Sequence, residues 1–338
     1  MVNRRQFVAA ALAPSSANEI PAGLRTPFKA NRPVVAASGT PGAFDEKSVD
    51  CPFVFHHSGL FHMTFVAFDG AGYQTGLASS ANLLDWKPEG LILVRDPTSE
   101  FFRYNVALNW IVRENDIWSK GALKKFRGRY LGVYHAYPNA GYEQGPAVIG
   151  LCWSADLRKW QLDPPVLRPE NGAEWERGGL YKPCLVHEND TFYLFYNAKT
   201  AEKSWHEQTG VATSHDLKIW TRHPANPLLH NGPAGSTDEK FASDPCVLKY
   251  GRQWAMFYFG LDRKGVARDL LALGPDLLHF DKCEGVCIDV GAPGAIDERY
   301  AHKPSIVAHN GVLHHFYCAV AKDNTRGISV ALSQSFTR

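Results

Sequence analysis

The sequence predicts an all-β chain folded as a five-bladed β-propeller with four-stranded antiparallel blades, and three observations carry that expectation. First, a thirteen-residue step recurs five times: Pro52 to Phe65, Gly121 to Tyr134, Pro183 to Tyr196, Pro245 to Tyr258 and Pro304 to Tyr317, at intervals of 69, 62, 62 and 59 residues. Second, a turn signal sits inside each step: Ser58-Gly59, Arg127-Gly128, Asn189-Asp190, Tyr250-Gly251 and Asn310-Gly311. Alternating apolar residues on either side of such a turn read as a β-hairpin. Third, the fifth copy stops one strand short at Phe336, while the segment before the first hairpin, 33–52, resembles the end of a repeat.

Taken in order, residues 1–20 read as an export signal, with Asn3-Arg4-Arg5-Gln6-Phe7 similar to a twin-arginine motif ahead of an Ala-rich stretch. That reading sends the protein to the periplasm or the cell exterior; a plain N-terminal tail, and a cytoplasmic protein, is the alternative. Residues 25–338 are then one propeller domain. The strand near Val34–Ala37 is expected to complete the last blade, which removes free sheet edges. After each hairpin comes a third strand ending in an aromatic: GLASSANLLDW (76–86), GLCWSADLRKW (150–160), GVATSHDLKIW (210–220) and LLALGPDLLHF (270–280). Repetition of Trp86, Trp160, Trp220 and Phe280 marks them as packing between blades. Units of this size cannot bury an apolar face alone and must stack on one another.

Composition narrows the partners. A formal charge of +2 with no basic stripe argues against nucleic acid, and no run approaches the roughly 18 apolar residues of a membrane span. The seven cysteines fall mostly inside expected strands, as small hydrophobes, and show neither a zinc-ribbon spacing nor a disulfide framework. The histidines, His56, His57, His302, His314 and His315 among them, lack metal-ligand spacing, so neither metal nor cofactor is expected.

Asp-Pro at an inner-strand start (Asp244-Pro245) and S-x-D-L-x-x-W third strands resemble the five-bladed propeller glycosidase superfamily of families 43, 32 and 130. It includes arabinanases, levansucrases, invertases and mannoside phosphorylases. The resemblance covers roughly residues 25–338 and implies a carbohydrate substrate. It also implies three carboxylates, at the first-blade start, in a second-blade Asp-Pro, and two residues before a third-blade Pro. Asp50 falls in the first slot. The second holds Ser119-Lys120-Gly121 and the third Tyr181-Lys182-Pro183, without carboxylates.

Inner strands line a propeller axis, so positions preceding the anchors form rings at its mouth. Residues that break the symmetry are the candidates for ligand contact. One ring is Cys51, Lys120, Lys182, Asp244 and Lys303; the next is Asp50, Ser119, Tyr181, Ser243 and His302. Three lysines against two aspartates leave the mouth positive, and ammoniums 8 Å apart repel by roughly 2 kcal/mol at an effective dielectric of 20. An anionic group on the sugar is one way to offset that; acids from adjoining blades are the other. Loops between second and third strands add Glu143-Gln144 and Glu207-Gln208, while Trp118 and Trp205 offer stacking faces.

Glycosidic cleavage needs an acid for the leaving oxygen and a carboxylate to activate water or attack carbon. Asp50 is the candidate base or nucleophile, Glu207 the candidate acid with Glu176 behind it, and Asp244 the tuning carboxylate. Lys182, Lys303, Tyr181, His302, Trp118, Lys120, Glu143 and Trp205 are the candidate substrate contacts. The leading expectation is a glycoside hydrolase. A phosphorylase, a lyase or a non-catalytic sugar-binding propeller are the alternatives.

Overall fold

In a computed structural model, residues 19–336 are described; the export-signal expectation therefore lies, but for Glu19 and Ile20, outside the described residues. The hairpins form where the turn signals stand. Ser48–His57 pairs with Leu60–Phe68, Gly179–Glu188 with Thr191–Lys199, Phe241–Tyr250 with Gln253–Leu261, and Tyr300–His309 with Val312–Val320. Ser58-Gly59, Arg127-Gly128, Asn189-Asp190 and Asn310-Gly311 all have φ between 48° and 84°. Two successive positive φ values match the twist of the flanking strands.

Third strands follow, Tyr73–Ser80, Val148–Ser154, Glu207–Ser214, Ala267–Gly274 and Arg326–Leu332. The S-x-D-L motif after them is a side-chain turn: Ser154 Oγ accepts from the amides of Asp156 and Leu157, and Asp156 Oδ1 from those of Arg158 and Lys159. Trp160, Trp220 and Phe280 pack on the main apolar core and Trp86 on a second one. Parallel bridges Glu207↔Phe241 and Ala267↔Tyr300 join the third strand of one repeat to the first of the next.

The N-terminal segment does close the last repeat: Phe28–Lys29 and Val35–Ala36 both pair antiparallel with Arg326–Leu332. A buried clasp makes the equivalence chemical. Glu176 accepts from Tyr196 and Arg222, Asp238 from Tyr258 and Lys282, and Asp297 from Tyr317 and Lys29. The tyrosine is the second-strand anchor and the cation belongs to the outermost strand, a role that Lys29 fills from the other end of the sequence. Glu176, a candidate catalytic acid from sequence, is thereby a member of this repeated clasp, fully buried and committed to packing.

The second repeat departs from its expected register. Its inner strand is Ala107–Ile111, not the segment after Gly121, and it pairs with Arg129–Ala136. Residues 113–122 instead run across the far ends of the other inner strands. Gly121 O accepts from His56 N, Lys249 O from Ile117 N, Ser119 O from Ala308 N, and Asn115 O from Lys249 N. Arg113 is buried there, its two terminal nitrogens donating to Val54 O and Ile306 O at 2.7 and 2.8 Å, its guanidinium over Trp110 and Phe53. Gly121, at φ 69°, leaves the room: a Cβ there would stand 2.5 Å from Arg113 Nη1.

Candidate active site

The inner strands carry their chemistry at a register shift. Pairing skips Cys51-Pro52, Lys182-Pro183, Asp244-Pro245 and Lys303-Pro304, and Asn109 in the second repeat. Cys51, Lys182, Asp244 and Lys303 have φ of 55°, 52°, 55° and 68°. A non-glycine residue in that region costs roughly 1–2 kcal/mol, and a following proline disfavours helical geometry further. Such bulges re-aim a side chain. Here all four residues, with Asn109, surround one small cavity.

Above that cavity lies a pocket of about 170 Å³ whose walls include Glu207, Asp244, Lys182, Lys303, Tyr181, His302 and Glu143. Seven of the sequence candidates thus meet on one surface. Tyr142, Arg326, Phe241, Phe259 and Tyr300 also line it, and the sequence pattern does not single them out. Arg326 sits on a third strand in a repeat whose loop carries no distinctive motif. Tyr142 is legible only as a flank of Glu143. Trp118 and Lys120 belong to the crossing segment at the other end of the inner strands; Trp118 lines a separate groove with Lys249 and Glu188. The ring is therefore Cys51, Asn109, Lys182, Asp244 and Lys303, and its lysines face Asp244 and Asp50. The positive mouth expected from sequence is cancelled.

Asp50 is buried beneath the pocket rather than on its wall. Its Oδ1 accepts from Cys51 N; its Oδ2 accepts from Tyr142 Oη at 2.8 Å, Lys303 Nζ at 2.8 Å and Arg326 Nη1 at 3.0 Å. Burial pushes its pKa up, but Lys303 and Arg326 outweigh this and hold the carboxyl well below its usual range. With Oδ2 taken by three donors and the side chain outside the pocket's lining, Asp50 holds Lys303 and Arg326 in place.

Glu207 is the contrasting case. It is 6% exposed, its Oε1 accepting from Trp205 Nε1 at 3.0 Å and its Oε2 from Ser243 Oγ at 2.8 Å. Burial dominates, with Asp244 and Glu143 adding repulsion against the lowering effect of Tyr181 and Trp205, and the carboxyl rises to about 7. Asp244 rises to about 6, again through burial first, although Lys182 lies 3.5 Å away. Glu143 is a third exposed, accepts from Tyr73 Oη at 3.2 Å and stands 3.7 Å from Lys303 Nζ. His302 is held neutral by burial and by Lys303. Its Nδ1 lies 3.1 Å from Cys318 O, which can only accept, so Nδ1 carries the proton and Nε2 is an acceptor. Trp205, 40% exposed, stacks on Phe241 at the rim.

The family profile "Glycosyl hydrolases family 32 N-terminal domain" matches residues 115–284. A 1,2-beta-oligomannan phosphorylase of Thermoanaerobacter sp. (strain X514) is 24% identical over 45% of this sequence and 43% of its own. A levanase of Bacillus subtilis (strain 168) is 28% identical over 40% of this sequence and 20% of its own. The protein thus spans less than half the length of either curated relative. A solved structure of a BT0996–RGII complex superposes with a TM-score of 0.81 at 28% identity, covering 94% of both proteins.

Proposed function

The protein belongs to the family of the glycosyl hydrolases family 32 N-terminal domain, and from that premise we propose that it hydrolyses a glycosidic bond in the pocket shared by Glu207 and Glu143. One observation carries this reading: of the three carboxylates that line one pocket, two stand in opposite environments, Glu207 buried and raised to about 7, Glu143 partly solvated beside Lys303, while Asp244 is paired with Lys182. Paired carboxyls with separated environments are how one site supplies both acid and base.

In this mechanism Glu207 donates a proton to the leaving oxygen, oriented by Trp205 and Ser243. Glu143 acts on the anomeric carbon, directly or through water. Lys303 bridges Asp50 and Glu143, so Asp50 acts by placing the cation and not by attack. His302 Nε2, Tyr181 and the Lys182–Asp244 pair bind sugar hydroxyls. The five repeats stand as blades around one axis in residues 25–338, a reading supported by the convergence of all five register shifts on one cavity. The pocket narrows there to a small cavity, which favours cleavage of a terminal sugar. RGII, named in the similar complex, is the first glycan to try.

The test is turnover. Glu207→Gln and Glu143→Gln should each reduce hydrolysis of unactivated glycosides by more than a hundredfold; both remaining within tenfold of the parent sinks the assignment. Turnover that requires inorganic phosphate redirects it to phosphorolysis.

A further inference from the structure

A second cleft of about 300 Å³ adjoins the pocket, bounded by Arg177, Lys199, Glu202 and Trp205. We propose that it is the subsite for the leaving-group sugar and that it selects one bearing a carboxylate. This rests on the hydrolase reading, since it takes Glu207 as the acid.

Position is the first reason. A general acid stands on the leaving-group side of the bond it protonates. Trp205 forms one wall of the cleft and its Nε1 donates to Glu207 Oε1 at 3.0 Å. The pocket narrows at its lower end to the small cavity ringed by the register shifts. The part of the glycan beyond the scissile oxygen is therefore placed to leave beside the acid, over Trp205. At 40% exposure the indole offers apolar surface that a sugar can contact.

Charge is the second reason. The pocket's own cations are matched to acids: Lys182 to Asp244, Lys303 and Arg326 to Asp50. The neighbouring Arg222 and Lys282 are likewise matched, to Glu176 and Asp238. The two cations of the cleft differ. Arg177 is exposed and directs Nη1 to the carbonyls of Glu170 and Pro169, at 2.6 and 3.5 Å. Lys199 Nζ lies 5.2 to 5.7 Å from the ring centres of Trp205, Tyr181 and Tyr137. Neither forms an ion pair with a carboxylate among the described residues. Glu202 is the cleft's one acid, leaving a net positive surface toward a ligand. Arginine's planar fork suits a carboxylate, and a lysine held against rings is pre-placed at little further entropic cost.

Binding tests this apart from turnover. In Glu207→Gln protein, titration calorimetry should show digalacturonate binding at least tenfold more tightly than its dimethyl ester. That preference should shrink as salt is raised. It should fall toward unity with Arg177→Ala and Lys199→Gln combined, and be kept by Lys199→Arg alone. Equal affinity for acid and ester, or a preference untouched by the double substitution, overturns the proposal. A failure of Glu207 as the acid would instead show in turnover, with the binding preference intact.

Discussion

Trp205 Nε1 donates to Glu207 Oε1 across 3.0 Å, so an exposed indole at the rim pulls down the pKa of a carboxyl that burial raises. Because the neutral acid cannot accept as strongly, this bond favours the charged form. Trp205→Phe removes it and should move the alkaline limb of the pH–rate profile, centred near 7 through Glu207, to higher pH. An unmoved limb would separate the indole from the acid's titration.

Glu207 also sets a stability trend. Its folded-state pKa, about 7, lies above the ordinary value of 4.5, so its contribution is fully present below 4.5 and is lost as pH rises through 7. At about 1.4 kcal/mol per pH unit, the charged form costs on the order of 3 kcal/mol above that range. Glu207→Gln should therefore raise the denaturation midpoint relative to the parent at pH 8.5 and show little gain at pH 5.

Asp50 behaves in the reverse sense. Its pKa is held well below 3.8, so its stabilisation is present above 3.8 and is lost only as pH falls through the depressed folded value. Asp50→Asn leaves Lys303 and Arg326 without their counter-charge and should cost about 3–5 kcal/mol at pH 7 in urea unfolding. A loss below about 1 kcal/mol, the scale of an exposed pair, would mean the cations re-pair with Glu143 or solvent.

The clasps separate stability from chemistry. Tyr258→Phe removes one donor from buried Asp238 and should cost about 1–2 kcal/mol. Glu176→Gln should lower the melting temperature and keep turnover within a few fold, as expected of a group bonded to Tyr196 and Arg222. A hundredfold loss of turnover would return Glu176 to the chemistry.

Repetition makes most of the fold legible. The hairpin turns, the third-strand aromatics and the N-terminal closing strand all rest on local residue types that recur. The second repeat misleads for a physical reason. Its inner strand carries Asn109-Trp110 where the others have a residue followed by proline. The segment that mimics the thirteen-residue step, around Gly121, crosses the far ends of the other inner strands with Arg113. That shift places Lys120 and Trp118 away from the pocket. Loop topology nominates Glu207 as the acid and Glu143 as a substrate contact, but not the pairing of Glu143 with Glu207 in the proposed chemistry. Burial, and the identity of the cations that face Asp50 from positions 303 and 326, are long-range facts.

The central claim, that Glu207 delivers the proton to the leaving oxygen, is tested most directly by leaving-group dependence in Glu207→Gln. The required comparison is hydrolysis of a dinitrophenyl glycoside, which needs no protonation, against the corresponding alkyl glycoside. The activated substrate should keep turnover within about tenfold of the parent while the alkyl glycoside loses more than about a hundredfold. Equal losses on both substrates would contradict it.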